Sequence, residues 1–537
     1  MAYAFVSLDV EFTTQRNGLG NSIGFNNFSN ISNFNYKSFN ISGINFIDAL
    51  TINTAGNYMI SWTCQPFDVE NQAFNLFNLA NSESISGASF SIYESTTGDN
   101  LRQTHGNIIL NLKKGDILNL SQTPGPSGIE FIQTNTNIKI TTASLTAYLI
   151  PSTSPFANLI NNSTSSVSND LGNGTILNIG DNMTFNNNYF SQTSGGDDFT
   201  LINNNTLISN ISSSNYFSFY NLNLYESNNY NIYYFPTIIY ETTQSPEPPP
   251  PPSPIQTFST LFNFTLSQNE YITFNNSEGI STFSNSSTNQ ESTGNNWFWY
   301  IYSSVCNQII GNNLLNVEKG DTFNLKCYGS SGILIMDTDT DAVETAINGS
   351  IVQNQMYGSI PGTNASLTLL PLTSNYAYAT NNISQSIDTN DFVNFNNFQT
   401  GGTNFSSSDN NQIISANTST CLIFFTITIF QTSNLVPNTT TAPTVSIQSG
   451  ALTSPTIFTF SNQFDYYKNN TYTISGTIIT SVPGNETIRL VNLTSVALNL
   501  ATQSSSSIPL PNEAITTPVN MPLGMTPINA SLFVMQL

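Results

Sequence analysis

The chain repeats one short strand sequence three times, as Ala143-Ser144-Leu145-Thr146, Ala365-Ser366-Leu367-Thr368 and Ala530-Ser531-Leu532-Phe533. A tight turn that leads into an alternating strand precedes each copy. The three turns are Lys114-Gly115-Asp116, Lys319-Gly320-Asp321 and Pro483-Gly484-Asn485. Glycine supplies the positive φ that such a turn requires. Two landmarks in the same order predict an internal repeat.

Two further landmarks occur earlier in each copy. The first is a cluster of aromatic residues and asparagines: Phe25-Asn26-Asn27-Phe28, Phe185-Asn186-Asn187-Asn188-Tyr189 and Phe395-Asn396-Asn397-Phe398. The second is a strand opening: Asn57-Tyr58-Met59-Ile60, Asn215-Tyr216-Phe217-Ser218 and Thr420-Cys421-Leu422-Ile423. Four landmarks in one order predict a triplicated domain, with copies at 1–150, 156–372 and 375–537.

The local sequence predicts strands throughout the chain. Segments 106–112, 138–150, 423–429 and 471–480 are rich in Ile, Thr, Leu and Tyr and are bounded by turn-forming residues. No segment shows the stripe of a capped amphipathic helix. An all-β fold with many short strands per repeat indicates a sandwich or a barrel.

The predicted joints at 151–155 and 371–374 are short and rich in proline, so neighbouring copies are expected to contact each other. The middle copy is the longest because it contains a proline-rich insertion at 245–254. Such a run adopts polyproline II without hydrogen bonds of its own. We interpret it as an exposed spacer, and a docking site for a proline-reading partner is the alternative.

The composition indicates a folded protein with a polar, mostly uncharged surface. The 537 residues include 10 Lys and Arg against 32 Asp and Glu, yet only 8% are charged and 38% are hydrophobic. This apolar content is too high for a disordered chain. So few cations cannot neutralise a row of phosphates, so we expect no nucleic-acid partner and no anionic membrane partner.

We expect no membrane insertion either. The longest apolar stretch, 421–430, is about half the length that a spanning helix needs. Residues 1–9 lack the basic region of a Sec signal peptide.

Few residues are candidates for chemistry, and we expect no catalytic site and no cofactor. The single histidine, His105, has no recognisable nucleophile near it in the sequence, which favours a structural role. Asp337, Asp339 and Asp341 resemble the opening of a calcium loop but lack its later glycine and glutamate, so a solvated acidic loop is favoured over a metal site. We interpret 195–198 as a plain turn.

The four cysteines allow two interpretations. Cys306 and Cys327 flank the second Gly-Asp turn, where a disulfide is geometrically conceivable. Cys64 and Cys421 lie near equivalent strands of the first and third copies. Buried free thiols are favoured, and cross-links within or between subunits are the alternative.

These landmarks resemble the C1q/TNF-like superfamily, and within it the C-terminal domains of BclA-type exosporium proteins of spore-forming bacteria. The phrases that carry the resemblance are the turns and terminal strands above, Ala55-Gly56-Asn57-Tyr58-Met59-Ile60-Ser61-Trp62, Ser86-Gly87-Ala88-Ser89, Tyr376-Ala377-Tyr378 with Phe395, and Thr400-Gly401-Gly402. The resemblance implies a ten-strand jelly roll per copy, in a family that normally forms trimers behind a collagen-like stalk. This chain has no Gly-X-Y tract. We expect its three copies to pack as an intramolecular pseudo-trimer, and three beads in a row are the competing arrangement.

The function that we predict first is that of a non-enzymatic surface protein that self-assembles into a spore exosporium layer or an appendage fibre. Assembly would use heterologous contacts, exposed sheet edges or the N-terminal strand. A virion spike or receptor-binding protein is the alternative. An array of glycan-binding modules is the third hypothesis, based on the aromatic residues Trp297, Trp299 and Tyr300.

Overall fold

The computed structural model of the chain describes residues 1–17, 20–67, 72–80, 83–84, 90–92, 103–122, 130–133, 138–162, 175–177, 182–192, 196–211, 214–225, 232–236, 271–276, 279–284, 297–301, 306–325, 333–335, 344–347, 350–353, 363–430, 443–450, 456–461, 471–495, 497–500 and 528–537. Every helix or strand element in these residues is a β-strand. No helix long and apolar enough to cross a membrane is found among them.

The strands group into three segments by their pairing. Those of the first segment are β1 (Tyr3–Leu8), β2 (Phe12–Thr13), β3 (Gln15–Asn17), β4 (Gly20–Ser22), β5 (Asn27–Ser32), β6 (Phe34–Ile41), β7 (Ile44–Ile52), β8 (Gly56–Cys64), β9 (Gln72–Asn78), β10 (Glu83–Ser84), β11 (Phe90–Ile92), β12 (Thr104–Leu112), β13 (Ile117–Gln122), β14 (Glu130–Phe131) and β15 (Ala143–Leu149).

The middle segment contains β16 (Ala157–Asn162), β17 (Thr175–Leu177), β18 (Asn187–Phe190), β19 (Phe199–Ile202), β20 (Thr206–Ser209), β21 (Ser214–Tyr225), β22 (Ile232–Pro236), β23 (Tyr271–Asn276), β24 (Gly279–Ser284), β25 (Trp297–Ile301), β26 (Cys306–Val317), β27 (Thr322–Phe323), β28 (Ile333–Ile335), β29 (Glu344–Ile347), β30 (Ser350–Gln353) and β31 (Thr363–Pro371).

The last segment contains β32 (Tyr376–Asn381), β33 (Gln385–Ile387), β34 (Asn397–Gly401), β35 (Phe405–Ser406), β36 (Ile413–Ser415), β37 (Ser419–Phe430), β38 (Thr444–Gly450), β39 (Thr456–Ser461), β40 (Thr471–Val482), β41 (Glu486–Asn492), β42 (Leu498–Leu500) and β43 (Ala530–Gln536).

The strand order of the first and last segments is that of a jelly roll. In the first segment one sheet contains β12-β8-β15-β1-β5, and the second contains β6-β7-β13-β9-β11. In the last segment the corresponding orders are β40-β37-β43-β32-β34 and β35-β36-β41-β38-β39. Each pair of sheets alternates early and late strands of the chain, as two interlocked Greek keys require. The predicted all-β jelly-roll fold is therefore confirmed.

The middle segment has the same first sheet, in the order β26-β21-β31-β16-β18. Its described second sheet contains β19, β20 and β27, and the pairs β22–β25, β23–β24 and β29–β30 form separate two-stranded sheets. In the described part of the chain all strand pairs join strands of the same segment. The boundaries at 150, 156, 372 and 375 stay a prediction.

The three first sheets pack against one another. Strand β12 contacts β21, β26 and β31; strand β26 contacts β37 and β40; and strand β40 contacts β1, β8 and β15. Each edge strand thus packs on the next segment, and the last segment returns to the first. Contacts that close in this way are expected of a pseudo-trimer rather than of beads in a row.

This packing explains the long apolar run of β37. Phe425 on one face packs on Phe460 of its own jelly roll. Phe424 on the other face packs on Phe217 and Phe219 of the middle segment. A strand buried on both faces loses the alternation of polar and apolar residues.

The N-terminal strand is an internal strand of its sheet. β1 pairs with β15 on one side and with β5 on the other. The expectation that it adds to a neighbouring chain's sheet is therefore wrong for this folded state, since both of its edges are already hydrogen-bonded.

Candidate functional site at the junction of the three sheets

The junction of the three first sheets is a single buried core with an apolar part and a polar part. In the apolar part Phe217 stacks on Phe533 and meets Tyr378 edge to face. Met59 and Tyr148 of the first segment belong to the same buried cluster, at 1% exposure each. Aromatic pairs of this kind contribute roughly 0.5–1.5 kcal/mol each beyond their buried area.

In the polar part a hydrogen-bond network joins the middle and last segments. The Asn312 side-chain amide donates to Ser531 Oγ at 2.8 Å and to Thr426 Oγ1 at 3.1 Å. The Tyr378 hydroxyl lies 2.9 Å from Asn312 Oδ1, to which it donates. Because these groups are buried, losing one partner would leave the others unsatisfied at a cost of about 1–3 kcal/mol each.

A second network joins the first and last segments. Ser61 Oγ donates to Thr477 Oγ1 at 2.9 Å, and Thr146 Oγ1 donates to the Thr477 carbonyl at 3.0 Å. The backbone N–H of Ser475 donates to Gln103 Oε1 at 2.9 Å. Hydrogen bonds therefore hold the last segment to the first along two neighbouring strands.

His105 lies where all three segments meet. Its backbone N–H donates to Gln308 Oε1, and its carbonyl accepts from Gln308 Nε2, both at 2.7 Å. Its ring lies edge to face with the Phe424 ring, at a centroid distance of 5.8 Å. Ser61 Oγ of its own segment lies 3.4 Å from its Nε2. The sequence did not predict this placement, because the partners are up to 319 residues away (424 − 105).

Burial keeps the His105 side chain neutral. It is fully buried, and desolvation lowers the pKa of His105 from 6.5 to about 3. In the described part of the chain no carboxylate bonds to Nδ1, so no acid orients the ring as in a catalytic triad. Ser61 is also fully buried. The Ser61–His105 pair therefore lacks both the access and the third group that nucleophilic catalysis needs.

Two of the four cysteines can be placed. Cys64 and Cys421 are both free and buried, and they belong to different hydrophobic clusters. Burial raises the pKa of Cys64 well above its usual value, and that of Cys421 to about 11. The alternative prediction, a cross-link through these two cysteines, is therefore wrong for the folded chain, because neither thiol reaches the surface. Cys306 is the first residue of β26, but its side chain is outside the described part of the structure. Cys327 lies wholly outside the described residues, so a disulfide between the two stays a prediction.

Several predicted features fall outside the described residues: Asp337, Asp339 and Asp341, and the proline-rich insertion at 245–254. Trp297, Trp299 and Tyr300 lie in β25, which pairs with β22, but their side chains are outside that set. Where the structure is described, no group of three His, Cys, Asp or Glu side chains could hold a metal ion. Of the turn predicted at 195–198, residues 196–198 are described, and they precede β19.

Three glycines that the sequence analysis did not single out occupy matching places in the three sheets. They are Gly106 in β12, Gly311 in β26 and Gly476 in β40. A Cβ at each position would lie within 3.0 Å of an aromatic ring on the neighbouring strand, Trp62, Tyr220 or Phe425 respectively. Part of the signal was available, since Gly106 and Gly476 lie in the strands predicted at 106–112 and 471–480.

The strand order and the junction together define a class of protein: β-sandwiches with jelly-roll topology whose first sheets share one buried core. The sequence matches no protein family and no curated protein. Among solved structures, the globular domain of the zebrafish complement 1qA protein is similar, at 17% identity over 28% of this chain and 98% of that one, with a TM-score of 0.20. So low a score carries no argument, and the assignment of the fold rests on the strand order.

Proposed function

We propose that this chain is a non-catalytic structural protein of a particle surface, in which one chain supplies a complete three-lobed head. The observation that supports the proposal is the closed packing of the three sheets. Jelly rolls on separate chains could associate through their aromatic sheet faces. In this chain those faces are buried internally, with Phe217, Phe424 and Phe533 each at 1% exposure or less.

The closed arrangement of the three sheets also bears on whether the protein forms a discrete head or a filament. Heterologous contacts that close make a ring, whereas those that do not close make a filament. A discrete spike or receptor-binding head is therefore favoured over a fibre that grows through these sheet faces. The particle that we propose first is a spore, with the head in the exosporium or on an appendage, and a virion is the alternative.

Self-association into a layer or a fibre remains a second candidate, through the second sheets. Among the described residues, each segment exposes an isoleucine on a second-sheet strand: Ile44 in β7 at 40%, Ile202 in β19 at 42% and Ile457 in β39 at 48%. These three side chains are exposed, whereas Phe458, the neighbour of Ile457 in β39, packs on Phe5 of the first segment. Assembly through them would leave the closed packing intact.

The first test uses the purified full chain in light scattering and negative-stain electron microscopy. We expect particles of 58.6 kDa with three lobes in contact. A row of separate beads would overturn the closed head. If the chain forms filaments, and these disappear in the triple variant Ile44→Ser, Ile202→Ser, Ile457→Ser, the second candidate, self-association through the second sheets, would be favoured over the discrete head.

A second test cuts the chain. A protease site inserted at 151–155 should leave the two fragments associated after cleavage, because the junction buries groups from all three segments. The uncut variant is the control. Fragments that separate in gel filtration would contradict the shared core. Immunogold labelling of spores and virus particles from the source then distinguishes the two settings, and label on neither would overturn the surface role.

A further inference from the structure

An open cleft of about 440 Å³ lies on the first segment, outside the junction. Asn26, Asn27, Phe28 and Ser29 line one wall, and Phe34 and Tyr36 line the other. The walls belong to β5 and β6, which are the outer strands of the two sheets of this jelly roll. The volume falls within the range of about 300–1,000 Å³ that is typical of small-molecule sites.

Three aromatic residues, Phe28, Phe34 and Tyr36, and Ile31 form the apolar part of the cleft. The ring centroids of Phe28 and Tyr36 lie 5.2 Å apart at an interplanar angle of 60°. Tyr36 is 45% exposed, so part of its side chain is accessible to a ligand. An exposed aromatic face in a cleft suits a ligand with a flat apolar side and polar edges.

Uncharged polar groups complete the lining. The Asn26 amide is held in place, because it donates to Asp9 Oδ1 at 2.6 Å and accepts the Asp9 backbone N–H at 3.0 Å. Asn27 and Ser29 are exposed, and their side chains make no hydrogen bond within the described chain. An amide offers donors and an acceptor side by side, and a hydroxyl offers both roles.

In the described residues of the other two segments, the counterparts of the cleft walls are arranged differently. In the middle segment Tyr189 corresponds to Phe28, but it contacts residues at the junction instead of lining a cleft. Its ring packs on Phe156, and its hydroxyl donates to Asn57 Oδ1 at 2.5 Å. In the last segment Phe398 packs against the junction core. The strands β19 and β35 have 4 and 2 residues, against 8 in β6, so neither builds the wall that carries Tyr36.

We propose that this cleft binds a neutral saccharide, which stacks one ring face on Tyr36 and hydrogen-bonds to Asn27 and Ser29. The absence of a charged side chain from the lining selects against anionic sugars as the main ligand. This site is independent of the head proposed above, since neither wall belongs to the junction.

The experiment is a glycan array with the full chain, followed by saturation-transfer NMR with the neutral oligosaccharides that bind and with sialylated and sulfated ones. We expect a neutral saccharide to bind, and Tyr36→Ala to weaken its binding about tenfold. Tyr36→Phe should retain most of the affinity. Ile44→Ala, exposed on the next strand outside the cleft, is the matched control and should bind as the unmodified chain does.

A second variant guards against a folding defect. Asn27→Ala removes an exposed amide without touching the aromatic pair, and it should also weaken binding while its circular dichroism stays unchanged. No neutral saccharide bound, or binding unchanged in both Tyr36→Ala and Asn27→Ala, would overturn the proposal. Lys37, exposed next to Tyr36 in β6, is the cation beside the cleft, and a preference for anionic glycans that is lost in Lys37→Ala would overturn the neutral class. None of these results depends on the particle shape, so this proposal and the closed head fail separately.

Discussion

The ring of Phe217 lies parallel to the ring of Phe533, with centroids 3.9 Å apart and planes 9° apart. Phe217 belongs to the middle segment and Phe533 to the last, and each is at 1% exposure or less. The contact therefore belongs to the junction between segments rather than to the core of either jelly roll.

Truncating this contact should destabilise the whole chain. We expect Phe217→Ala to lower the free energy of unfolding by about 3–5 kcal/mol, because it removes a large buried side chain and leaves a cavity. Guanidinium unfolding measures the change. Ile457→Ala, at a 48% exposed position, is the control and should change it by less than about 0.5 kcal/mol. Equal effects of the two substitutions would mean that the junction does not form.

Acid should weaken the junction through His105. The unfolded chain takes up a proton at this ring below about pH 6.5, whereas the folded chain resists it until about pH 3. Between these values the unfolded state binds more protons, so stability falls as the pH falls. The groups that contact His105 from the three segments, among them Ser61 and Phe424 at the ring and Gln308 at the backbone, carry no charge that could offset this.

The comparison that isolates the histidine uses His105→Gln, which cannot become charged. We expect the loss of unfolding free energy between pH 7 and pH 4 to be smaller in this variant by roughly 3 kcal/mol. Urea unfolding at both pH values measures it, and carboxylate titration cancels between the two proteins. The same pH dependence in both would show that the ring is hydrated.

Tyr378 and Asn312 should be energetically coupled across two segments. Tyr378→Phe leaves Asn312 Oδ1 without its donor. Asn312→Leu removes both the side-chain oxygen that accepts from Tyr378 and the amide that donates to Thr426 and Ser531. We expect the double variant to be more stable than the sum of the single effects predicts, by about 0.5–3 kcal/mol. Additive effects in thermal or denaturant unfolding would contradict the network.

Adding a methyl group at Gly476 should strain the last sheet. The new Cβ would press on the rings of Phe425 and Phe460 at less than 3.0 Å, and both rings are held in a closed core. We expect Gly476→Ala to cost about 1–3 kcal/mol through overpacking. Gly115→Ala is informative as a contrast, because nothing lies within 4 Å of its Cβ and its cost comes from the positive φ of 96° alone. A neutral Gly476→Ala would mean that the rings move apart freely.

The two buried thiols should be unreactive in the folded chain. Burial raises the pKa of Cys64 and of Cys421, so little thiolate exists at neutral pH. We expect maleimide to label both only after denaturant is added, as read by peptide mass spectrometry. Labelling within minutes under native conditions would contradict their placement.

Much of the fold could be predicted from local signals. The turns at Gly115 and Gly320 have positive φ values of 96° and 91°, as the Gly-Asp pattern predicted, whereas in the third turn the positive φ, 63°, is at Asn485 rather than at Gly484. The terminal phrase forms the central strands β15, β31 and β43 in every first sheet. The cleft beside Tyr36 could not be predicted, because its two walls come from the outer strands of different sheets.

The sequence by itself determined that the chain is all-β and where its turns and strands fall, since turn residues and β-branched runs act over a few neighbouring positions. The tertiary structure alone decided which sheet faces are covered. Ser61 and Thr477 are separated by 416 residues and share one buried hydrogen bond. Periodicity could not reveal that contact, because a strand covered on both faces has no polar side to mark which neighbour lies on it.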